Sequence, residues 1–369
     1  MITKNRKKNS GGYDFSLLLP VLLLVGIGIV MVYSASSEVA FKKYGNDYLF
    51  LKKQGIATLI GIFAMIVFSY TPYRLLRHFS YLFLITGLGL LIILKVSGMG
   101  YEAGGATRWL RFKGFSFQPS EFARFALVIY MAYSLSKKHE NIKNLYIGFL
   151  PHVIVLGIFS ALIFMQPDFG SVVILAIITW IMMFVGGVRI MHLTTSLLLI
   201  LPVAVYYMMT AQYRIQRLIS FLDPWKYPRD EGYQIIHSLM AFGTGGLWGS
   251  GIGQGYQKLF YLPEPHTDFI FSVIGEELGF VGVVIIISLY ALVLWRGIII
   301  AKNTDDLFGS YLALGLTVAI GLQVFFNMGV ALALFPTKGL TLPFLSYGGT
   351  SLLLNMAFVG ILMNIGRSG

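Results

Sequence analysis

Ten runs of apolar residues, each near or above the length that crosses a lipid bilayer, leave this chain little choice of fold. A hydrocarbon core about 30 Å thick needs about 20 apolar residues in a helix. Runs at 15–36, 54–70, 79–97, 121–136, 147–166, 169–187, 190–209, 269–295, 309–335 and 346–366 meet or approach that length. Because lipid offers backbone amides no hydrogen-bond partner, such runs must satisfy themselves as helices. The expectation is an all-α, polytopic membrane protein with about ten transmembrane helices and a long extracytoplasmic loop between helices 7 and 8. Composition agrees, with 56% of the 369 residues hydrophobic and 12% charged, where a soluble domain carries about a quarter.

The chain reads as a single membrane domain over residues 1–369, with a basic tail at 1–14 and the large loop at 210–268. Lys4, Arg6, Lys7 and Lys8 precede the first run, which is longer than a signal-peptide core and reads as an uncleaved anchor. Basic flanks stay in the cytoplasm, so ten spans place both termini there. The longer loops at 37–53, 98–120, 210–268 and 335–345 then face outward. Residues 232–261 mix apolar side chains with glycines, which predicts short interfacial helices and tight turns on the membrane surface.

A net charge of +12 on so few charges favours anionic lipids or an anionic substrate. Nucleic acid is disfavoured, since no basic stretch belongs to a separate soluble domain. With no cysteine, disulfides and thiolate chemistry are excluded. The glycine-rich run at 243–255 contains neither GxGxxG nor GxxxxGK, which argues against a nucleotide cofactor.

Acidic residues number 16, and their placement is informative. Asp168, Asp268 and Glu121 each begin a predicted span on the same side, and carboxylates beside hydrocarbon usually mark a functional cavity. Capping is the competing explanation for Asp168 after Pro167 and for Glu121 after Pro119-Ser120. Glu121 and Arg124, three apart on one helix face, suit a structural ion pair. Asp268 closes the dense polar cluster Leu262-Pro263-Glu264-Pro265-His266-Thr267, which capping alone explains poorly, and His266 stands close enough to orient it. Glu276 and Glu277 fall roughly 12–14 Å further along the same helix. Arg108, Trp109, Arg111 and Lys113 in one outer loop, with Arg214, Arg217 and Lys258 in another, suit a lipid-borne phosphate or simple interfacial anchoring.

Five motifs in order then resemble one family. Gly105-Ala106-Thr107-Arg108-Trp109-Leu110, Gln118-Pro119-Ser120-Glu121, Gln166-Pro167-Asp168-Phe169-Gly170, His266-Thr267-Asp268-Phe269-Ile270-Phe271 and Pro343-Phe344-Leu345-Ser346-Tyr347-Gly348-Gly349 are similar to those of the shape, elongation, division and sporulation (SEDS) family. Met31-Val32-Tyr33-Ser34-Ala35-Ser36 and Gln257-Lys258-Leu259-Phe260-Tyr261-Leu262-Pro263 look more like its division members than its elongation members, and a sporulation member would look much the same. The resemblance implies a peptidoglycan glycosyltransferase that polymerises lipid II at the outer face of the bacterial cytoplasmic membrane. It further implies a class B penicillin-binding protein with transpeptidase activity as partner, among other division proteins. Asp268 matches the family's essential acid, and Asp168 and Trp109 match other important positions. Relatives commonly carry Lys where this chain has Arg124, which keeps the charge but does not readily give up a proton.

On that reading Asp268 is the general base. Asp168 supports it or helps Asp268 hold a divalent cation such as Mg or Mn on the diphosphate. Arg108, Arg111, Arg214 or Lys258 stabilise the departing charge. Two rivals stand beside it: transport of lipid II across the bilayer, and a non-catalytic scaffold for the transpeptidase.

Overall fold

The computed structural model describes residues 14–97, 100–103, 106–112, 115–210, 212–229, 232–260, 262–337 and 339–368. Every one of the ten apolar runs is a helix. They are α1 (Phe15–Tyr44), α2 (Leu49–Tyr70), α4 (Ser80–Val96), α5 (Pro119–Lys137), α6 (Leu150–Phe164), α7 (Phe169–Gly186), α8 (Ile190–Met209), α12 (Ile270–Asn303), α13 (Leu307–Ala331) and α14 (Gly349–Ser368). The short α3 (Arg74–His78) links α2 to α4, while α9 (Gln212–Leu222), α10 (Tyr233–Gly245) and α11 (Gln257–Phe260) occupy the long loop. Among the described residues seven helices are long and apolar enough to cross a membrane, and α4 and part of α8 are shorter apolar segments. α5 is the more polar exception, because it buries Glu121 and Arg124.

The core gathers around α5, α12, α13 and α14. α14 runs along α2, α5 lies between α4 and α13, and α1 packs on α12. Their facing side chains are fully buried, among them Phe358, Leu127, Phe308 and Tyr290, while Phe63, Leu59 and Ile85 point outward as lipid-facing side chains must. α8 is the outlier. Leu198, Leu199 and Leu201 are more than half exposed, and it touches little beyond α7 and α9.

Two parts of the loops depart from expectation. Residues 100–117 form a three-stranded antiparallel sheet, β1 (Gly100–Ala103), β2 (Ala106–Phe112) and β3 (Phe115–Phe117), in that order. Ala103 pairs with Ala106 and Phe112 with Phe115, so two residues join each pair of strands. Gly104-Gly105 between two such runs is a hairpin signal that the sequence carried.

The second departure is α10, which was expected on the membrane surface and is instead packed into the bundle. Ser238 Oγ lies 2.6 Å from Ser272 Oγ on α12 and donates to Ala331 O at 2.5 Å, and the Phe242 and Phe271 rings meet at 5.5 Å. An exposed apolar stripe is found instead on α9, before that stretch, where Ile215, Leu218, Ile219 and Leu222 are exposed.

α12 spans 34 residues, which as one straight helix would reach about 51 Å, well beyond a bilayer core. It is broken at Gly279, whose φ of 65° and ψ of −165° are not helical. The loop after α10 fills the break: Ser250 N–H donates to Glu276 O at 2.9 Å and Gly251 N–H to Glu277 O at 3.0 Å. In return Phe280 N–H donates to Gly246 O at 2.9 Å. The helix is thereby interrupted without leaving these backbone groups unsatisfied. Glycine is obligatory on both sides, since a Cβ on Gly279 would stand 2.3 Å from Gly249 N and one on Gly249 2.2 Å from Glu277 O.

Candidate active site

Alternation of helix directions puts Asp14, Arg296 and Lys302 at one end of the bundle and the sheet, Asp168 and Asp268 at the other. Arg296 Nη2 pairs with Asp14 Oδ2 at 2.5 Å and ties α12 to the start of α1.

Asp268 sits two residues before α12, in a segment whose backbone is clasped from α13 and the approach to α14. His266 O accepts from Tyr347 N–H at 2.8 Å, Thr267 O from Ser346 Oγ at 2.5 Å, and Asp268 O from Asn327 Nδ2 at 2.9 Å. Three consecutive carbonyls are thus held by residues far along the chain. Asn327 also donates to Leu340 O, which draws the loop before α14 against the acid. Gly339 lies there, and a Cβ on it would stand 3.2 Å from Asp268 Oδ2. Glu264 and Phe344, in the two loops that bracket the acid, both adopt left-handed backbone conformations rare for side-chain-bearing residues.

Burial, reinforced by the negative charge of Glu264, pushes the Asp268 carboxyl up to about 7; Thr267 and Arg108 oppose the rise. Arg108 reaches the site from β2 and also donates from Nη2 to Pro167 O at 2.6 Å. One arginine therefore connects the sheet, the turn before α7 and the neighbourhood of Asp268. Trp109, next on β2, points to the other face of the strand, is partly buried and pairs in register with Tyr101.

Asp168 is the N-cap of α7. Its carboxylate accepts from Ser171 N–H at 3.2 Å and Ser171 Oγ at 2.6 Å. Capping is therefore part of its role, and Gln166 Nε2 steadies the turn on Leu91 O at 3.4 Å. Glu121 and Arg124 form the expected buried ion pair on α5, and the Asp168 charge acts on Glu121.

His266 is buried with its ring against Phe50 and Tyr347, and its Nε2 stands 3.6 Å from Glu264 Oε2. Burial holds its pKa below the usual value, which favours the neutral ring. Lys258 lies apart from the phosphate role suggested for it, because its ammonium faces Glu277 and Ser34 inside the protein. The side chains of Arg111 and Arg214, and all of Lys113, lie outside the described residues.

Sequence reasoning missed Asn327, Gly339, Ser346 as a clasp, and the loop that seals Gly279. A lone Asn in an apolar helix was the available signal for the first, since a polar amide at that depth must find partners. Among the described residues no three acidic or histidine side chains gather as a metal site. Carboxylates such as Asp268 and Asp168 are the hard oxygen type with which magnesium joins substrate phosphates, and both oxygens of Asp168 already accept from Ser171.

Fold and site define a class: a many-helix membrane protein that presents a dehydrated carboxylate and an arginine at one end of its bundle. The chain belongs to the FtsW, RodA and SpoVE family of cell cycle proteins, whose model matches residues 15–369. It is 45% identical to a probable peptidoglycan glycosyltransferase FtsW of Geobacter sp. (strain M18), with 96% of each chain covered. It is 43% identical to the stage V sporulation protein E of Bacillus subtilis (strain 168), covering 96% of this chain and 97% of that one. Among solved structures, a chain of a peptidoglycan synthase complex that coordinates polymerisation and crosslinking superposes with a TM-score of 0.80 at 30% identity, covering 97% of this chain and 98% of that one. The rod shape determining protein RodA of Thermus thermophilus gives 0.70 at 27% identity, with 98% of each chain covered.

Proposed function

We propose that this chain is a peptidoglycan glycosyltransferase that polymerises lipid II, working at the extracytoplasmic face of a bacterial cytoplasmic membrane beside a class B penicillin-binding protein. The observation that carries the reading is Asp268: a carboxyl pushed up to about 7, on a clasped backbone, beside an arginine from a separate element. A general base works best when its pKa lies near the working pH.

In the step this geometry supports, ionised Asp268 takes the proton from an acceptor sugar hydroxyl. The hydroxyl oxygen bonds to the donor's anomeric carbon as the bond from that carbon to the lipid diphosphate breaks. The diphosphate departs with the bonding electrons, and Arg108 meets the charge. Arg111 and Arg214 are further candidates for that charge. A lipid diphosphate leaves as a stabilised anion, so one free carboxylate suffices and direct, inverting displacement follows. A divalent cation held by Asp268 and Asp168 would supply additional charge neutralisation on the diphosphate. The orientation rests on Lys4, Arg6, Lys7 and Lys8 beside the Asp14 end, since basic flanks favour the cytoplasm.

Transport of lipid II would call for paired broken helices in related halves. Among the described helices only α12 carries such a break, and its gap is sealed by the protein's own loop.

Purified protein with its transpeptidase partner, given lipid II, should yield glycan chains, and Asp268→Asn should yield none. Undiminished polymer from that variant would remove Asp268 as the base. Wild-type protein that makes no polymer even with partner and divalent cation would point back to transport or scaffolding.

A further inference from the structure

Twenty residues of chain, from Lys258 on α11 to Glu277 on α12, are closed into a loop by a buried ion pair, and Asp268 lies at its middle. Lys258 Nζ stands 2.5 Å from Glu277 Oε1, with the two side chains 5% and 0% exposed. Lys258 also donates to Ser34 Oγ at 2.8 Å, and that hydroxyl lies 2.7 and 2.8 Å from the two Glu277 oxygens. Ser34 belongs to α1, so the contact gathers three elements. The adjacent Glu276 grips the chain just before the loop: its carboxylate accepts from Tyr256 N–H at 2.8 Å and Gln257 N–H at 3.1 Å. There is no slack beside it, since a Cβ on Gly255 would stand 2.8 Å from Glu276 Oε2.

We propose that Lys258, Glu277 and Ser34 form the neck of this loop and position Asp268, so that Lys258 acts on the reaction through the acid and not by touching substrate. The inference rests on the reading of Asp268 as base. The loop is then pinned twice, at its neck by this ion pair and near its crown by Asn327, Ser346 and Tyr347. Two charges buried in contact hold one another in place, because withdrawing either strands the other in a low-dielectric interior. A phosphate could reach the Lys258 ammonium only by opening a site where the lysine side chain is 5% exposed and already paired with a carboxylate. Among the described residues the charged groups that act on Asp268 are Glu264 of its own loop, with His266 3.6 Å from that glutamate, and Arg108 of β2. None of them belongs to the neck, so a change there leaves them chemically intact.

The test compares Lys258→Met, Glu277→Gln and the swapped pair K258E/E277K in the full chain with its transpeptidase partner. Two readouts are independent: amide hydrogen exchange over residues 259–268, and the pH–rate profile of lipid II polymerisation. Each single variant should speed exchange in that segment by about tenfold or more. Each should lower kcat by about tenfold with KM within about twofold, the pattern of a misplaced catalytic group. The acid limb of the profile should move to lower pH as water reaches Asp268. The swapped pair should recover both protection and the limb. A Lys258→Met protein with raised KM and unchanged exchange would mean that Lys258 grips substrate directly, and the proposal falls. It falls equally if exchange rises while kcat and the pH limb stay put. Polymer from Asp268→Asn would remove the base, and the exchange data would then judge the neck by themselves.

Discussion

At the neck of its loop Glu277 meets a lysine ammonium and a serine hydroxyl, whereas nine residues earlier Asp268 meets no cation in direct contact among the described residues. Glu121 on α5 repeats the first solution with Arg124. The difference separates two uses of a buried acid. A carboxylate bonded to a cation has its oxygens taken up by that partner and serves to hold elements together. One that is only dehydrated, with its backbone clasped and an arginine at a distance, stays near the balance between its two forms.

The contrast breaks first at Asp268 itself. Asp268→Asn should lower polymerisation by roughly 10²–10⁴-fold, the range for loss of a general base, with folding unchanged as judged by thermal denaturation. The wild-type rate should climb as pH rises through about 7, because only the ionised acid accepts a proton. Stability runs the other way. The folded protein favours the protonated carboxyl while the unfolded one ionises near 3.8, so stability falls between about pH 4 and 7 and is level above. A rate profile flat across pH 6–8 under conditions where chemistry is limiting would erase the distinction between the two kinds of acid.

Arg124→Leu tests the paired kind. It leaves Glu121 buried without its cation and should destabilise the protein by about 3–5 kcal/mol, read by denaturation in detergent. The double change E121M/R124L should recover most of that loss.

Gly339→Ala sharpens the comparison from the acid's side. The added methyl stands 3.2 Å from Asp268 Oδ2 and should cost roughly tenfold in kcat through displacement of the carboxylate, with little change in melting temperature. The smallest effect is expected at Asp168. Asp168→Ala should lose about 1 kcal/mol as a cap, and Asp168→Asn only a few tenths, since asparagine caps as well. A large loss of polymer in Asp168→Asn at unchanged stability would show that this acid also serves the reaction.

What the sequence made legible follows from how local each signal is. Apolar length announced ten helices, and i,i+3 spacing announced the pair of Glu121 and Arg124. Asp168 was readable as a cap for the same reason. The sheet at 100–117 went unread because its strands are short and its basic and aromatic side chains looked like interfacial anchors. Lys258 was read as a phosphate ligand because its true partner lies 19 residues away on another helix. The clasp around Asp268 is more remote still, with Asn327 at a separation of 59 and Ser346 at 79 from Thr267. Polar side chains in apolar helices signal that partners exist without saying which.

The three clasped carbonyls tie the acid's backbone to α13 and to the approach to α14. In a polymerase built this way the growing strand does the moving: after each addition the sugar chain must advance past a stationary tooth.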